Sequence, residues 1–358
     1  YLGTGWQTQP VPTLAEALNR YIGRAIIFLE PKQVSGIAPI QQMLTSRFPN
    51  ANKSVVWKAH IGASTASLQW ARDNGFRTWV YVDAGTTQAA MDAKDAVTSM
   101  WGVPTAMTNA NVQAVVARPG GKTVIVWEIH RRSEVVKYLG LGVKGMMCAE
   151  GIYARRTDRI RTATQWGRRI KSPGEIGLQT YSGGWALKYD ADGSAHVDQV
   201  AGAALIGELG ADGTKNVQTI TFTMTFPQIS TTVTEHAGIA FGKVDDSRYQ
   251  FGTDPAVGGY HMVYRHNGQM QLFKHTPGSA SGTGLGTAVA AGVPVAGTAM
   301  TFRIDITATD VTLTRTDVEP DVSTTTANSE FRGQYVHISN GSLLDIACRP
   351  LFKDLTVT

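Results

Sequence analysis

The feature that most constrains this chain is a change of hydrophobic period near residue 177. Ahead of it, short apolar runs alternate with stretches of helical period, the pattern of βαβ units on a parallel sheet. Beyond it the helical period vanishes, and Thr, Val and Gly alternate with apolar residues at every second position, as in half-buried antiparallel strands. A length of 358 residues also exceeds what one hydrophobic core usually serves, so two domains are expected. The reading places a parallel (β/α) domain at 1–154, a basic linker at 155–177 and an all-β sandwich at 178–358.

Within the first domain, strands are expected at 25–32, 54–60, 78–83, 103–109, 123–130 and 143–150. Helices are expected at 13–21, 64–74, 87–101 and 133–139, the first opened by Thr13 with Glu16 three residues on, a capping-box pattern. Six units fall short of the eight that close a TIM-type barrel, so either the sheet is open or the first two units are missing; the motifs below favour a TIM-type barrel with its first strands missing. The chain opens on Tyr1 with no basic or apolar leader, and a preceding segment is expected to supply those strands.

Chemistry in a parallel barrel sits where the strands end. The polar residues at these ends are Glu30 and Lys32, Lys58 and His60, Tyr81 and Asp83, then Asn109, Glu128 with His130, and Glu150. Residues two apart share a face of a strand, so Glu30 and Lys32 point together, as do Lys58 and His60. Charged groups among Val, Ile, Phe and Met are costly unless paired or bound to a ligand. The ensemble therefore reads as a site.

Gly3-Thr4-Gly5-Trp6 with Val11-Pro12-Thr13-Leu14-Ala15-Glu16, the Phe28-Leu29-Glu30-Pro31-Lys32 strand, Val126-Trp127-Glu128-Ile129-His130 and Leu141-Gly142-Val143-Lys144-Gly145-Met146-Met147 follow in order. Together these segments resemble the glycerophosphodiester phosphodiesterases. The resemblance implies metal-assisted phosphodiester cleavage with Ca²⁺ or Mg²⁺ held by carboxylates. It implies Glu30 as a metal ligand, Lys32 as a phosphate contact and Trp127 as a pocket wall. Lys58 joins the phosphate contacts from its strand-end position alone. The family's acid–base histidines and its Glu-x-Asp ligands lie ahead of the matched region, and Cys148-Ala149 stands where the family closes on Thr-Asp. Only His60 or His130 could stand in as acid or base, and whether the chain is an enzyme is left open.

The second domain shows strand patterns at 219–226, 237–243, 259–265, 270–275, 300–307, 311–316 and 352–358. Asn267-Gly268 between two of them predicts a type I′ hairpin, and the Gly/Ala/Ser-rich stretch 276–298 reads as a mobile loop. Tyr181-Ser182-Gly183-Gly184-Trp185, Tyr249-Gln250-Phe251-Gly252, Tyr260-His261-Met262-Val263-Tyr264 and Leu351-Phe352-Lys353-Asp354-Leu355-Thr356-Val357 look like a concanavalin-like jelly roll of the laminin G type. Trp185, Tyr249 and Tyr260 are its candidate sugar-stacking aromatics.

A net charge of +5 comes largely from Arg155, Arg156, Arg159, Arg161, Arg168 and Arg169 in the linker, and does not argue for nucleic acid. No apolar run is long enough to span a membrane. Cys148 and Cys348 are too few for a disulfide framework or zinc site and are expected as buried free thiols.

The combined expectation is an extracellular or virion-borne protein, of the kind found as phage minor tail proteins. Its barrel would act on or bind a glycerophosphate polymer or lipid headgroup, and its sandwich would hold an envelope glycan. Homo-oligomers or virion proteins are the expected protein partners. The alternative is a non-catalytic adhesion or structural module with a degenerate barrel.

Overall fold

In a computed structural model, the chain is described over residues 11–148, 151, 154, 187–190, 192–197, 202–208, 217–232, 235–246, 257–279, 281–341 and 345–358. The basic segment 155–177, Gly3–Trp6 of the N-terminal motif, Glu150, Trp185 and Tyr249 lie outside the described residues. Contacts divide the chain into two bodies, residues 1–128 with 137–147, and residues 129–136 with 148–358.

The first body is built on six parallel strands: β1 (Ile27–Leu29), β2 (Val55–His60), β3 (Arg77–Tyr81), β4 (Met100–Pro104), β5 (Thr123–Ile129) and β6 (Gly145–Cys148). They lie side by side in chain order, and β1 and β6 remain edges. The connecting helices are α1 (Leu14–Tyr21), α2 (Ile37–Arg47), α3 (Thr65–Asp73), α4 (Gln88–Asp92), α5 (Asn109–Val116) and α6 (Arg132–Gly140), the first half of α6 being grouped by contacts with the second body. Right-handed crossovers in unbroken chain order put such helices on one side of a sheet. The outcome is an open half-barrel, so the expected TIM-type barrel is corrected: six strands do not close on themselves.

Alternation sorts the side chains of this sheet. Trp57, Val80, Trp101, Val103, Val124 and Val126 are buried on one face, with Leu18, Leu68, Ala71, Met91 and Val112 from the helices also buried. Trp57 tilts against Trp70 of α3 at 5.3 Å and donates its indole N–H to Ser67 at 3.2 Å. Val56, Trp79 and Ile125 form a separate cluster on the other face, joined by half-buried Phe28, Tyr81, Met100, Trp127 and Met147. Two glycines make that inner layer: a Cβ on Gly102 would stand 2.5 Å from the Trp79 indole, and one on Gly145 would stand 2.8 Å from Ile125.

Helix α1 has the capping box that its sequence predicts, Thr13 and Glu16 satisfying each other's backbone N–H. Other expectations give way. The stretch 87–101 is not one helix: α4 ends at Asp92, and Trp101 already lies in β4. That strand ends at Pro104, and Thr108 then caps α5 through its hydroxyl.

The second body is a sandwich of two antiparallel sheets. Its strands are β7 (Leu187–Tyr189), β8 (Ala195–Val197), β9 (Gly202–Glu208), β10 (Gln218–Thr225), β11 (His236–Gly242), β12 (Gly259–Arg265) and β13 (Gln269–His275). They continue as β14 (Thr283–Ala290), β15 (Ala299–Ile306), β16 (Asp310–Arg315), β17 (Val322–Ala327), β18 (Gly333–Gly341) and β19 (Leu351–Val357). One sheet runs β17-β16-β15-β10-β19-β8-β7 and the other β14-β13-β12-β11-β18-β9. Ile220, Phe222 and Met224 of β10, Met300, Phe302 and Ile304 of β15, and Tyr260, Met262 and Tyr264 of β12 meet in a single core. Thr219, Thr221, Thr223 and Thr225 alternate outward, half-exposed.

The β12–β13 hairpin corrects the expected type I′ turn. Gly268 N–H donates to Arg265 O at 2.9 Å, and of the turn residues only Gly268 has positive φ, at 82°. This is a type I turn closed by a left-handed glycine. The 276–298 stretch contains strand β14, paired antiparallel with β13 across a register shift between Met270 and Leu272, rather than a loop throughout. Cys348 is buried and Cys148 half-buried, both free, and burial pushes both thiols up.

Strand β12 is buried on both faces, and the face away from the core carries histidines. His261, His275 and His337 are buried. The His261 ring lies 5.9 Å from that of His236 and 6.1 Å from that of His275, and its Nε2 is 2.7 Å from Ser339 Oγ. Burial, reinforced by its neighbours' charges, holds His261 and His337 well below the usual imidazole value, and burial with the Lys243 charge pushes His275 down to about 4.

A histidine whose folded value is depressed favours the folded state above its unfolded value of about 6.5, and that preference is lost as pH falls through the folded value. Hydrogen-exchange protection of β11, β12 and β18, corrected for intrinsic rates, is expected to fall steadily from about pH 6.5 to about pH 4. Flat protection across that window would contradict the assignment. In the first body, Gly102→Ala is expected to cost ~1–3 kcal/mol in chemical denaturation, because the Trp79 indole must move.

Candidate ligand site at the strand ends

A cavity of about 300 Å³ opens at the C-terminal ends of β1, β2 and β3, lined among others by Glu30, Lys32, Trp57, Lys58, His60 and Tyr81. The residues arrive there by register: Phe28 pairs with Val56, Lys58 with Trp79, and His60 with Tyr81. One step beyond the apolar layer, the same alternation delivers Glu30, Lys58 and Tyr81 to the open end of the sheet.

Glu30 is the hub. Its Oε1 accepts from Lys32 Nζ at 2.7 Å and from Tyr81 Oη at 2.6 Å, and its Oε2 faces Lys58 Nζ at 3.0 Å. The Lys58 ammonium also stands 5.0 Å from the ring centres of both Trp79 and Tyr81, a cation–π arrangement. Tyr81 in turn takes the edge of Trp127 at 5.6 Å. Exposure separates the two lysines: the Lys32 side chain is 74% exposed and that of Lys58 21%. The Lys32 bridge is therefore an exposed pair of small worth, and Lys58 is the fixed one.

Burial alone would raise the Glu30 carboxyl, but hydrogen bonds from Lys32, Tyr81 and Lys58, with the Lys58 charge, outweigh it and hold the carboxyl below the usual range. The Tyr81 hydroxyl is pushed up, first by burial and then by the Glu30 carboxylate that it serves. Glu30 thus stays an acceptor and Tyr81 a donor at neutral pH.

His60 is held at both ring nitrogens. Gly62 N–H donates to Nδ1 at 3.2 Å, so Nδ1 is the acceptor and Nε2 carries the proton that goes to Asp83 Oδ2 at 2.9 Å. In this tautomer the neutral ring has no lone pair left for a substrate proton. His130 follows β5, where its backbone N–H donates to Glu134 at 2.8 Å, and it does not line the cavity.

Glu30, Lys32, Lys58 and His60 are brought together as their strand-end positions predict, with Trp127 one ring behind. Tyr81 and Asp83 stood on the same rim, yet their roles as partners of Glu30 and His60 were not assigned. The signal was the i, i+2 spacing Trp79-Tyr81-Asp83, which sets both on the face of the other polar ends. Tyr260 is 0% exposed, its hydroxyl pairs with Asn328 and accepts from Phe331 N–H at 3.2 Å, and it offers no face to a sugar.

A divalent cation does not fit this donor set. Hard cations need several oxygen ligands, whereas the Glu30 oxygens face two ammonium groups and a hydroxyl. Among the described residues no group of three His, Cys, Asp or Glu could hold a metal. No described helix is long and apolar enough to cross a membrane.

No family model matches the chain, and no curated protein matches it. Among solved structures it is similar to the metal-free Emp46p carbohydrate recognition domain, at 11% identity and TM-score 0.40 over 57% of this chain and 93% of that one. Lectin II from Ulex europaeus is similar at 10% identity and TM-score 0.35, over 48% of this chain and 89% of the lectin. A family 7 alginate lyase, A1-II′, is similar at 11% identity and TM-score 0.31, over 50% and 82%. At these values the likeness assigns neither family nor function. The resemblance to glycerophosphodiester phosphodiesterases is corrected: no family model supports it, the sheet is an open half-barrel, and the Glu30 surroundings do not suit the implied metal.

Tyr81→Phe removes one of the hydrogen bonds that hold the Glu30 carboxyl down. A ¹³C titration of Glu30 is expected to show its pKa rising toward the ordinary value, with ~1 kcal/mol of stability lost at neutral pH. An unchanged titration would place the control of Glu30 elsewhere.

Proposed function

We propose that this chain recognises an anionic, hydroxyl-rich polymer outside the cell, with the strand-end cavity of the half-barrel as the seat of the acidic group. The observation that carries the reading is the convergence of Lys32, Lys58 and Tyr81 on one carboxylate over an aromatic floor. Two ammonium groups face a single carboxylate at the hub, with the Asp83 carboxylate beyond His60, so the exposed Lys32 is the charge that a ligand anion can take over. Lys32 can leave its exposed bridge for a ligand phosphate or carboxylate at little cost. Lys58 adds a fixed, partly desolvated charge, where electrostatic attraction is stronger than in bulk water. Glu30 accepts from ligand hydroxyls, and the Tyr81 ring offers an apolar surface to sugar or polyol C–H groups.

A glycerophosphate polymer or a uronate-bearing glycan has the required chemistry. The reading is one of binding, because His60 has both nitrogens engaged and none of the described residues at the cavity is arranged as a general base. The sandwich enters the proposal as a second glycan-contacting body, supported only by the use of two-sheet sandwiches in lectin domains. The second reading is a structural module in which the Glu30 network only ties strand ends together, and the pairing of both Glu30 oxygens within the network favours it.

Calorimetric titration with short glycerol-phosphate oligomers, oligogalacturonate and a neutral dextran oligosaccharide separates the two. Binding of at least one acidic oligomer but not the neutral one is expected, weakening with added salt. Lys58→Met should weaken it at least tenfold. Binding that ignores salt and Lys58→Met, or no binding of either acidic oligomer, would sink the proposal and leave the structural reading.

A further inference from the structure

At the opposite end of the same sheet, where β1 to β4 begin, lies a second cavity of about 480 Å³. Its walls include Ile26, Phe28, Val56 and Met100, with Lys53 and Arg77 beside them and no carboxylate among the described lining residues. Phe28 and Val56 pair in register, and so do Val56 and Arg77. Arg77 is two residues before Trp79 and shares its strand face, so a guanidinium stands at the foot of the apolar inner layer. The apolar part is continuous with that layer: Phe28 meets Trp79 edge-on at 5.2 Å, and Met100 packs on the same cluster. Ile26 is 61% exposed at the mouth.

We propose that this cavity binds a linear alkyl chain ending in a carboxylate, with the chain along Phe28, Val56 and Met100 and the carboxylate on Arg77 and Lys53. The size suits a small ligand, since such sites run from about 300 to 1,000 Å³. The lining combines what an amphipathic acid requires: apolar walls from Phe28, Val56 and Met100, and two cations, Arg77 in register with Val56 and Lys53 ahead of β2, with no carboxylate among the described lining residues. Arg77 can take a carboxylate in a two-pronged geometry that Lys53 supplements as a point charge. Each methylene moved from water to such walls favours binding roughly fourfold, so chain length and the terminal charge both contribute to affinity, and the charge sets orientation.

The test is calorimetry on the full chain with dodecanoate below its micelle concentration, beside its methyl ester and acetate. Dodecanoate is expected to bind, the uncharged ester at least tenfold more weakly, and acetate not measurably. Arg77→Glu with Lys53→Glu, both at exposed positions, is expected to weaken dodecanoate at least tenfold without changing the melting temperature. Arg77→Gln gives an intermediate loss and serves if the double variant melts early. Lys58→Met, at the other end of the sheet, should leave dodecanoate binding intact. The proposal is overturned if dodecanoate does not bind, if the charge reversals leave its affinity unchanged, or if Lys58→Met abolishes it.

Discussion

A parallel strand turns every second side chain to the same face, and the half-barrel follows from how this chain uses that rule. Phe28, Val56, Trp79 and Ile125 make one inner layer, and Glu30, Lys58, Tyr81 and Trp127 make the next. The inner layer forms only because Gly102 and Gly145 yield their volume to Trp79 and Ile125. With the indole in place, its ring is also the surface against which the Lys58 ammonium rests. Packing in one layer therefore fixes the position of charge in the next.

That arrangement explains why a carboxylate and two ammonium groups can sit at the mouth of an apolar sheet. Glu30 and Lys58, both largely covered, would each be costly alone. Glu30 ties the ammonium groups together with Tyr81, and the aromatic rings stabilise the cation on its other side. The network is satisfied internally yet opens on solvent through Lys32, so one part is rigid and one part is free to exchange partners. The sandwich handles buried polarity differently. Burial holds His261, His275 and His337 below the usual imidazole value on the face of one sheet that turns from the core, and Gly238 leaves the space for the His261 ring. A body built in this way tolerates neutral pH and is strained by acid.

Much of this was legible in the residues. VVWKAH at β2 and GYHMVYR at β12 declare themselves by apolar content and turn residues, and the capping box of α1 needs only Thr13 and Glu16. Other elements left weak signals. Helix α2 fully buries only Leu44, so its apolar stripe is thin. Strand β14 is Gly- and Ala-rich and exists because β13 pairs with it, and β17, with three threonines in a row, exists beside β16 in the same way. The closed barrel was inferred from family resemblance rather than from pattern, and six strands in chain order contradict it. At the site, the rim residues followed from strand-end position, but the pairings did not. Whether Glu30 meets a metal or is taken up by Lys58 and Tyr81 depends on distances to strands 28 and 51 residues away in the chain.

The most direct test of the central claim is chemical-shift mapping of the full chain during titration with glycerol 3-phosphate, following the Lys58 and Lys32 side chains and the Tyr81 ring. The account predicts saturable shifts at these three groups, with the Trp127 indole moving in step. Shifts confined to other residues, or none at concentrations where the acidic oligomers bind, would contradict it.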